Sequence, residues 1–490
     1  MNDPRSVVID NAACPLSWPQ QRRNLILFAV CTGMQYLAAP VLYVGITQSA
    51  LCEKLGADAR VSNLPATLYF AMTSMPVLMA WLWPQVRLLR RNISWCYGLS
   101  GAMLGLIALA LTLPISDGAK LAIVALQGAL TGALMPAAIA FLWEIICRGS
   151  APSKRGLALA LAFGFGPILA VVGSLVQTTL LGGNLFGYNF AGAQYPRNFI
   201  ILFALGSPIL LVTAAISRFF VVPAAEHEPK REPVTSVIGL LVGLPSMLVA
   251  IALVQLADVY SNQGLRALGY LFAAVCTIAF VVHFRSLLAN RLLLLASVVT
   301  VLVYTGNMIP SNMNLYSTEA LGESPEKFAG MQNTLRFSFK VVAGLFFGWL
   351  LLKTNPRAGL LATASIYLSA QLWALFATGP WYLVAFGIYG AGELIGVYAP
   401  NYIVSASSKK DLRRNTAFLT LLMAPAAPAG YLFGAIVDAC KSNQWTAMGM
   451  SPASLGFRLS FLACAVFILS GILLALLKLP KNPMPTSEGS

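Results

Sequence analysis

The chain has 490 residues, of which 58% are hydrophobic and only 10% charged, and its mean hydropathy of +0.74 is too high for a water-soluble domain of this length. Its 32 Lys and Arg outnumber 17 Asp and Glu, giving a formal net charge of +15. Those cations are spread over loops and tails without forming a stripe, which excludes a nucleic-acid surface and leaves anionic lipid headgroups as their partner.

Lipid offers no hydrogen bonds, so a chain crosses it as a helix, and about 20 apolar residues span the hydrocarbon core. Fourteen stretches have that length. In the first half they are Leu25–Ser49, Leu64–Trp83, Ile93–Leu113, Leu121–Ile146, Gly156–Leu181 and Phe199–Phe220. Val237–Ala257 and Ala267–Phe284 follow as a pair. The second half holds Leu292–Ile309, Met331–Leu352, Leu360–Phe376, Trp381–Ser405, Ala417–Val437 and Phe457–Leu477. The prediction is an all-α polytopic membrane protein of 14 transmembrane helices, two pseudo-symmetric six-helix bundles with an inserted hairpin. In residues, this gives a tail over 1–24, a bundle over 25–220, a linker over 221–236, the hairpin over 237–285, a bundle over 286–478 and a tail over 479–490.

Loop charges orient this arrangement. With the N-terminus in the cytoplasm, 22 Lys and Arg fall on the cytoplasmic side, 8 outside and 2 within a helix. Cytoplasmic loops carry the excess of basic residues, so both termini are expected in the cytoplasm of a bacterial-type inner (plasma) membrane. The first stretch is long enough to span and is not closed by a small-residue cleavage site, so it reads as an anchor. The extra pair is an even insertion and preserves the orientation of the second half.

The eight cysteines have no metal-ligand spacing, and only Cys52 and Cys440 fall in outward loops where a disulfide is conceivable. His227 and His283 are too few for a metal site, and neither a metal nor a cofactor is expected. No phosphate-binding or dinucleotide-binding pattern stands at a strand-to-helix junction, so the chain does not read as an enzyme.

The halves repeat one another. Trp83-Pro84-Gln85-Val86-Arg87-Leu88-Leu89-Arg90-Arg91 follows the second stretch, and Gly348-Trp349-Leu350-Leu351-Leu352-Lys353-Thr354-Asn355-Pro356-Arg357 closes the tenth. Both are short, basic and predicted cytoplasmic. In this the chain resembles the major facilitator superfamily, in which a six-helix bundle is duplicated and a basic loop follows the second helix of each bundle. The resemblance covers Leu25 to Leu477. It makes Arg87, Arg90, Arg91, Gly348, Lys353 and Arg357 candidates for gating loops, although Trp81, Pro84 and Gln85 stand near where the family has glycine and aspartate. It also places the tenth and twelfth stretches against a central cavity. Fourteen-span branches of the superfamily carry such an inserted pair. Gly164-Phe165-Gly166-Pro167 on the fifth stretch and Pro425-Ala426-Ala427-Pro428-Ala429-Gly430 on the thirteenth partly match a Gly-Pro motif of the family's exporters, and small residues also serve close helix packing.

Charges within spans are costly and mark function or mutual pairing. Arg336 and Lys340 lie one turn apart on the tenth stretch, and Glu393 lies near the middle of the twelfth within Gly390-Ala391-Gly392-Glu393-Leu394-Ile395-Gly396. Similar depth makes a Lys340–Glu393 contact possible. The functional reading gives Glu393 a proton to accept and release and gives Arg336 a substrate anion, with Lys340 a further substrate-binding candidate. The competing reading is a structural ion pair. Gln35, Tyr36, Gln127 and Asn307 are neutral substrate-binding candidates, and Tyr304, Asn312 and Asn314 lie near a cavity mouth. Glu144 reads as an interfacial partner of Arg148 or Arg155. The sequence thus points to a secondary active transporter of a small solute, driven by protons. An exporter by proton antiport, or a sensor or scaffold of the same fold, is the alternative.

Overall fold

This computed structural model describes residues 16–43, 45–150, 165–185, 188–189, 194–223, 228, 231, 233–406 and 424–483, with backbone alone at 184–185, 188–189, 259, 286–288, 348–353, 400–401 and 404. Helices fall on each predicted stretch, but several are broken. The first comprises α1 (Trp18–Leu37), α2 (Ala39–Leu42) and α3 (Ile46–Lys54), with Gly45 at the second break in a positive-φ conformation (φ 128°) that suits a residue without Cβ. The second comprises α4 (Ala59–Met72) and α5 (Met75–Leu82), bent by 44°. Then come α6 (Leu89–Thr112), α7 (Asp117–Gly149), α8 (Phe165–Gln177) and α9 (Arg197–Ser217). The inserted pair is α10 (Ile238–Val259) and α11 (Gln263–Leu288).

In the second half α12 (Arg291–Tyr304) leads through a 3-10 turn to α13 (Pro310–Leu315) and α14 (Ser317–Leu321). After them come α15 (Pro325–Lys353) and α16 (Pro356–Phe376). The twelfth stretch is interrupted at Glu393, between α17 (Val384–Gly392) and α18 (Ile395–Ser405). The last helices are α19 (Pro428–Ser442) and α20 (Pro452–Lys478). A short pairing of Asn184–Leu185 with Tyr188–Asn189 is the one strand pair among the described residues.

Among the described residues ten helices are long and apolar enough to cross a membrane, or eleven if the bent α4–α5 pair is one span. The chain is a multi-pass membrane protein. Of the remaining predicted stretches, the first is the broken α1–α3, the tenth lies in α15, and the thirteenth begins outside the described residues.

Within the first half α6 packs against α7 and α9, α4 against α7, and α1 against α8. Within the second, α15 packs on α17, and α20 packs on α12, α16 and α19. The halves meet chiefly where α8 packs on α15, α4 on α19, and α3 on α13, with further contacts of α3 with α15 and α4 with α13. The hairpin α10–α11 packs mainly on itself and touches α4 and α12. Small residues set the close approaches. A Cβ on Gly430 would lie 2.9 Å from Thr67 Oγ1, and one on Gly434 would lie 2.7 Å from the Ala59 carbonyl oxygen, so α19 runs along α4 almost backbone to backbone.

Cys52 and Cys440 are both buried free thiols, so the disulfide conceived for them is absent. Both sit inside packed helices instead of the outward loops assumed for them. His227 lies outside the described residues, and His283 packs edge-on against Phe284.

Candidate functional site: a buried charge triad at a helix crossing

The α15–α17 crossing builds the site. A Cβ on Gly390 would stand 1.9 Å from the Arg336 carbonyl oxygen, and one on Gly387 would press on the Phe339 ring. With glycine at both positions the two backbones come close enough for Arg336 and Lys340 to reach Glu393 across the crossing. Arg336 grips the carboxylate with both arms of its fork: Nε donates to Oε2 at 3.0 Å and Nη2 to Oε1 at 2.5 Å. Lys340 Nζ donates to Oε2 at 3.3 Å. The Arg336 and Glu393 side chains are 10% and 9% exposed, but Lys340 is 22% exposed, so the lysine is the looser and more accessible cation. One acid against two cations leaves the triad with a formal charge of +1.

Glu393 occupies the break between α17 and α18, where the amide of Leu394 turns back to Ala391 O (3.3 Å). An interrupted helix exposes backbone dipoles beside the charge, which is a recurring way to build an ion or solute site in lipid. Arg336 Cζ also stands 5.5 Å from the Tyr389 ring centre and 5.4 Å from that of Phe337, cation–π contacts that hold the guanidinium in place.

The first half contributes tyrosines. Tyr36, Tyr43 and Tyr69 lie within electrostatic reach of Glu393. Gln35 is buried and hydrogen-bonded at both ends: its Nε2 donates to Tyr43 Oη at 2.6 Å and its Oε1 accepts from Tyr97 Oη at 2.9 Å. That relay has a direction. With its oxygen taken by Gln35, the Tyr43 hydroxyl keeps its proton to donate elsewhere, and its ring packs on the cluster of Ala39, Ala170 and Phe337 and edge-on to Tyr69 at 6.4 Å. Tyr43 was not among the sequence candidates, although it lies two turns from Gln35 on the same stretch.

Other predicted residues lie elsewhere. Gln127 is fully buried, donates to Thr131 Oγ1 (3.0 Å) and Leu42 O (3.3 Å), and accepts from Gln48 (3.4 Å). Asn307 accepts from Tyr367 at 2.6 Å within the second half. Tyr36 packs against Gly166, where an added Cβ would overlap its ring at 2.3 Å. Asn312 and Asn314 are fully buried and hold the halves together: Asn63 Nδ2 donates to Asn312 Oδ1 (2.6 Å), and Ser49 Oγ donates to Asn314 Oδ1 (3.1 Å). Asn333 Nδ2 donates to Gln177 Oε1 (3.0 Å), and Lys54 pairs with Glu326 (2.7 Å), again between halves.

At the basic loops Arg87 and Arg91 are exposed, and Arg90 Nη1 reaches Phe220 O at 3.4 Å. Arg357 Nη1 donates to Leu479 O at 2.7 Å. Gly348 and Lys353 end α15, and their side-chain positions lie outside the described residues. Glu228 of the linker accepts from the Val86 amide at 2.7 Å, and Arg231 covers the Trp81 ring at 3.8 Å. An acid therefore does meet the first basic loop, from outside the loop. Glu144 pairs with Arg148 at 2.7 Å, and Arg155 lies outside the described residues.

No protein-family model matches the chain, and no curated protein matches it in sequence. Solved structures do match. An auto-inhibited POT family peptide transporter superposes with TM-score 0.64 at 14% identity, covering 96% of this chain and 99% of its own. The POT family transporter PepTSo gives 0.62 at 12%, covering 94% and 98%. A variant of the nucleoside transporter NupG gives 0.61 at 10%, covering 92% and 99%. The chain has the major facilitator fold. Within this fold the charge triad lies at the α15–α17 crossing of the second half, and α15 also packs on α8 of the first.

Proposed function

We propose that the protein is a secondary active transporter that carries a small anionic solute through a plasma membrane of the bacterial inner-membrane kind by alternating access, together with a proton. The observation that carries this reading is a carboxylate, its side chain 9% exposed, that stands at a helix break and is held by two cations of unequal grip. The fold shared with peptide and nucleoside transporters supports the transport part of it. We further propose fourteen spans with both termini cytoplasmic.

The triad couples two bindings by simple electrostatics. A solute anion entering between the halves meets Lys340 first, because that cation is the more exposed and the more weakly held. Each contact it makes with Lys340 or Arg336 is withdrawn from Glu393, and a carboxylate that loses its cations in a desolvated site takes up a proton more readily. Linkage is reciprocal, so protonation of Glu393 frees the cations for the anion by the same factor. Proton and anion therefore favour one another, which is the coupling that movement in one direction requires. Tyr43 supplies a hydroxyl donor for an acceptor elsewhere on the solute.

The hydrogen bonds Ser49–Asn314 and Asn63–Asn312 and the Lys54–Glu326 pair support a state closed on the proposed outer face. The reading is tested by offering the reconstituted protein a panel of labelled carboxylates, nucleosides and peptides, with and without an acidic exterior. Accumulation of an anionic solute only under the gradient is expected. Flux of none of them, with the protein folded, would refute it.

A further inference from the structure

The most elaborate ionic cluster outside the triad joins three parts of the chain that are far apart in sequence. Arg60, at the start of α4, sends Nε to Asp438 Oδ2 (3.2 Å) on α19 and Nη1 to Asp258 Oδ2 (2.8 Å) at the tip of the hairpin. Asp438 does more than pair with a side chain. Its Oδ1 accepts from the Ala59 amide (3.0 Å) and its Oδ2 from the Arg60 amide (2.9 Å), so a carboxylate of the second half caps the N-terminus of a first-half helix. Free amides and the positive end of the helix dipole both favour that placement.

Asp258 is shared in turn. Its Oδ1 accepts from Arg266 Nη2 (2.7 Å) across the hairpin, and its Oδ2 accepts from Tyr431 Oη (2.5 Å) on α19. One hairpin carboxylate thus contacts both halves. Gly434, one turn before Asp438, lets α19 lie on the first residues of α4, without which these bonds would not reach.

We infer that Arg60, Asp258 and Asp438 form a latch that holds α4 and α19 together, and that the inserted hairpin serves as its anchor, setting how readily this face opens. Separating the halves here must break the cap on α4 and pull Arg60 from two carboxylates. The hairpin, which packs mainly on itself, then acts through one residue at its tip. The inference goes beyond solute binding. It rests on the halves parting as proposed above, but its test needs no solute and no transport.

The probe is a thiol put in place of Thr67, a buried residue of α4 that faces Gly430 of α19 about two turns below the latch. Alkylation by a maleimide present on both sides of the membrane, read residue by residue by mass spectrometry, follows the population in which α4 and α19 have parted. Thr67→Cys alone should react slowly. Adding Asp438→Asn or Asp258→Asn should speed reaction at position 67 about tenfold, the size expected when one such interaction is removed from a two-state balance. Adding Glu323→Gln, which loosens only an exposed pair with Lys327 inside the second half, should change nothing.

Buried Cys31 and Cys464, inside the two halves, report general unfolding and should stay unreactive. An unchanged rate in Asp438→Asn overturns the latch. An unchanged rate in Asp258→Asn overturns the hairpin's part in it. Acceleration that spreads to Cys31 and Cys464 means unfolding and overturns the inference as well.

Discussion

Arg336 and Lys340 are one turn apart on one helix, yet the structure gives them different work. The guanidinium fork matches the two oxygens of Glu393, whereas the lysine touches one oxygen from a more open position. Removing Arg336 alone should leave a buried carboxylate with half its partners, and Arg336→Gln is expected to lower stability by about 3 kcal/mol, the lower end for a broken buried pair. The double variant Arg336→Gln/Glu393→Gln should recover most of it, and thermal unfolding in detergent decides the matter. Lys340→Gln should unfold near the parent temperature while weakening binding of an anionic solute. These three charges were legible in the sequence because lipid makes any charge conspicuous. Which cation grips the acid was not, since that depends on the angle and offset of two helices. Gln35 and Gln127 were conspicuous for the same reason, but their hydrogen bonds go to Tyr43, Tyr97, Thr131 and Leu42.

At the scale of elements, the α15–α17 crossing depends on glycine at 390. A side chain there would have to displace the Arg336 backbone, so Gly390→Leu should part the helices, destabilise the protein by about 1–3 kcal/mol and abolish solute binding. Gly344 on the same α15 has open space around it, so Gly344→Ala should be tolerated and gain up to about 1 kcal/mol of helix propensity. Unfolding temperatures of the two variants, compared side by side, test the crossing. The glycines around Glu393 were visible in the sequence and pointed to a close approach. The breaks at Gly45, in the second stretch and at Glu393 were not, because hydropathy averaged over a window is the same for a straight helix and a broken one. A break shows only as backbone geometry, and Gly392 and Gly45 do not announce it on their own.

Over the whole molecule, the apolar stretches and the repeated basic loops carried the fold, which the likeness to solved transporters bears out despite 10–14% identity. What they missed is the joining of the halves. Arg60, Asp258 and Asp438 drew no notice in the sequence, because pairing between distant segments leaves no periodicity. Topology has its own test: reporters fused after Arg231, Gln263 and Arg285 should read cytoplasmic, external and cytoplasmic, and a cytoplasmic signal after Gln263 would mean that the hairpin does not cross. The central claim is that Glu393 couples a proton to the solute. Its most direct test is the Glu393→Gln variant in proteoliposomes, with exchange of internal for external solute measured beside accumulation under a pH gradient. The glutamine keeps shape and hydrogen bonds but cannot titrate. The account predicts that exchange persists and gradient-driven accumulation is lost. Accumulation at the parent level would contradict it and leave the triad as a structural ion pair.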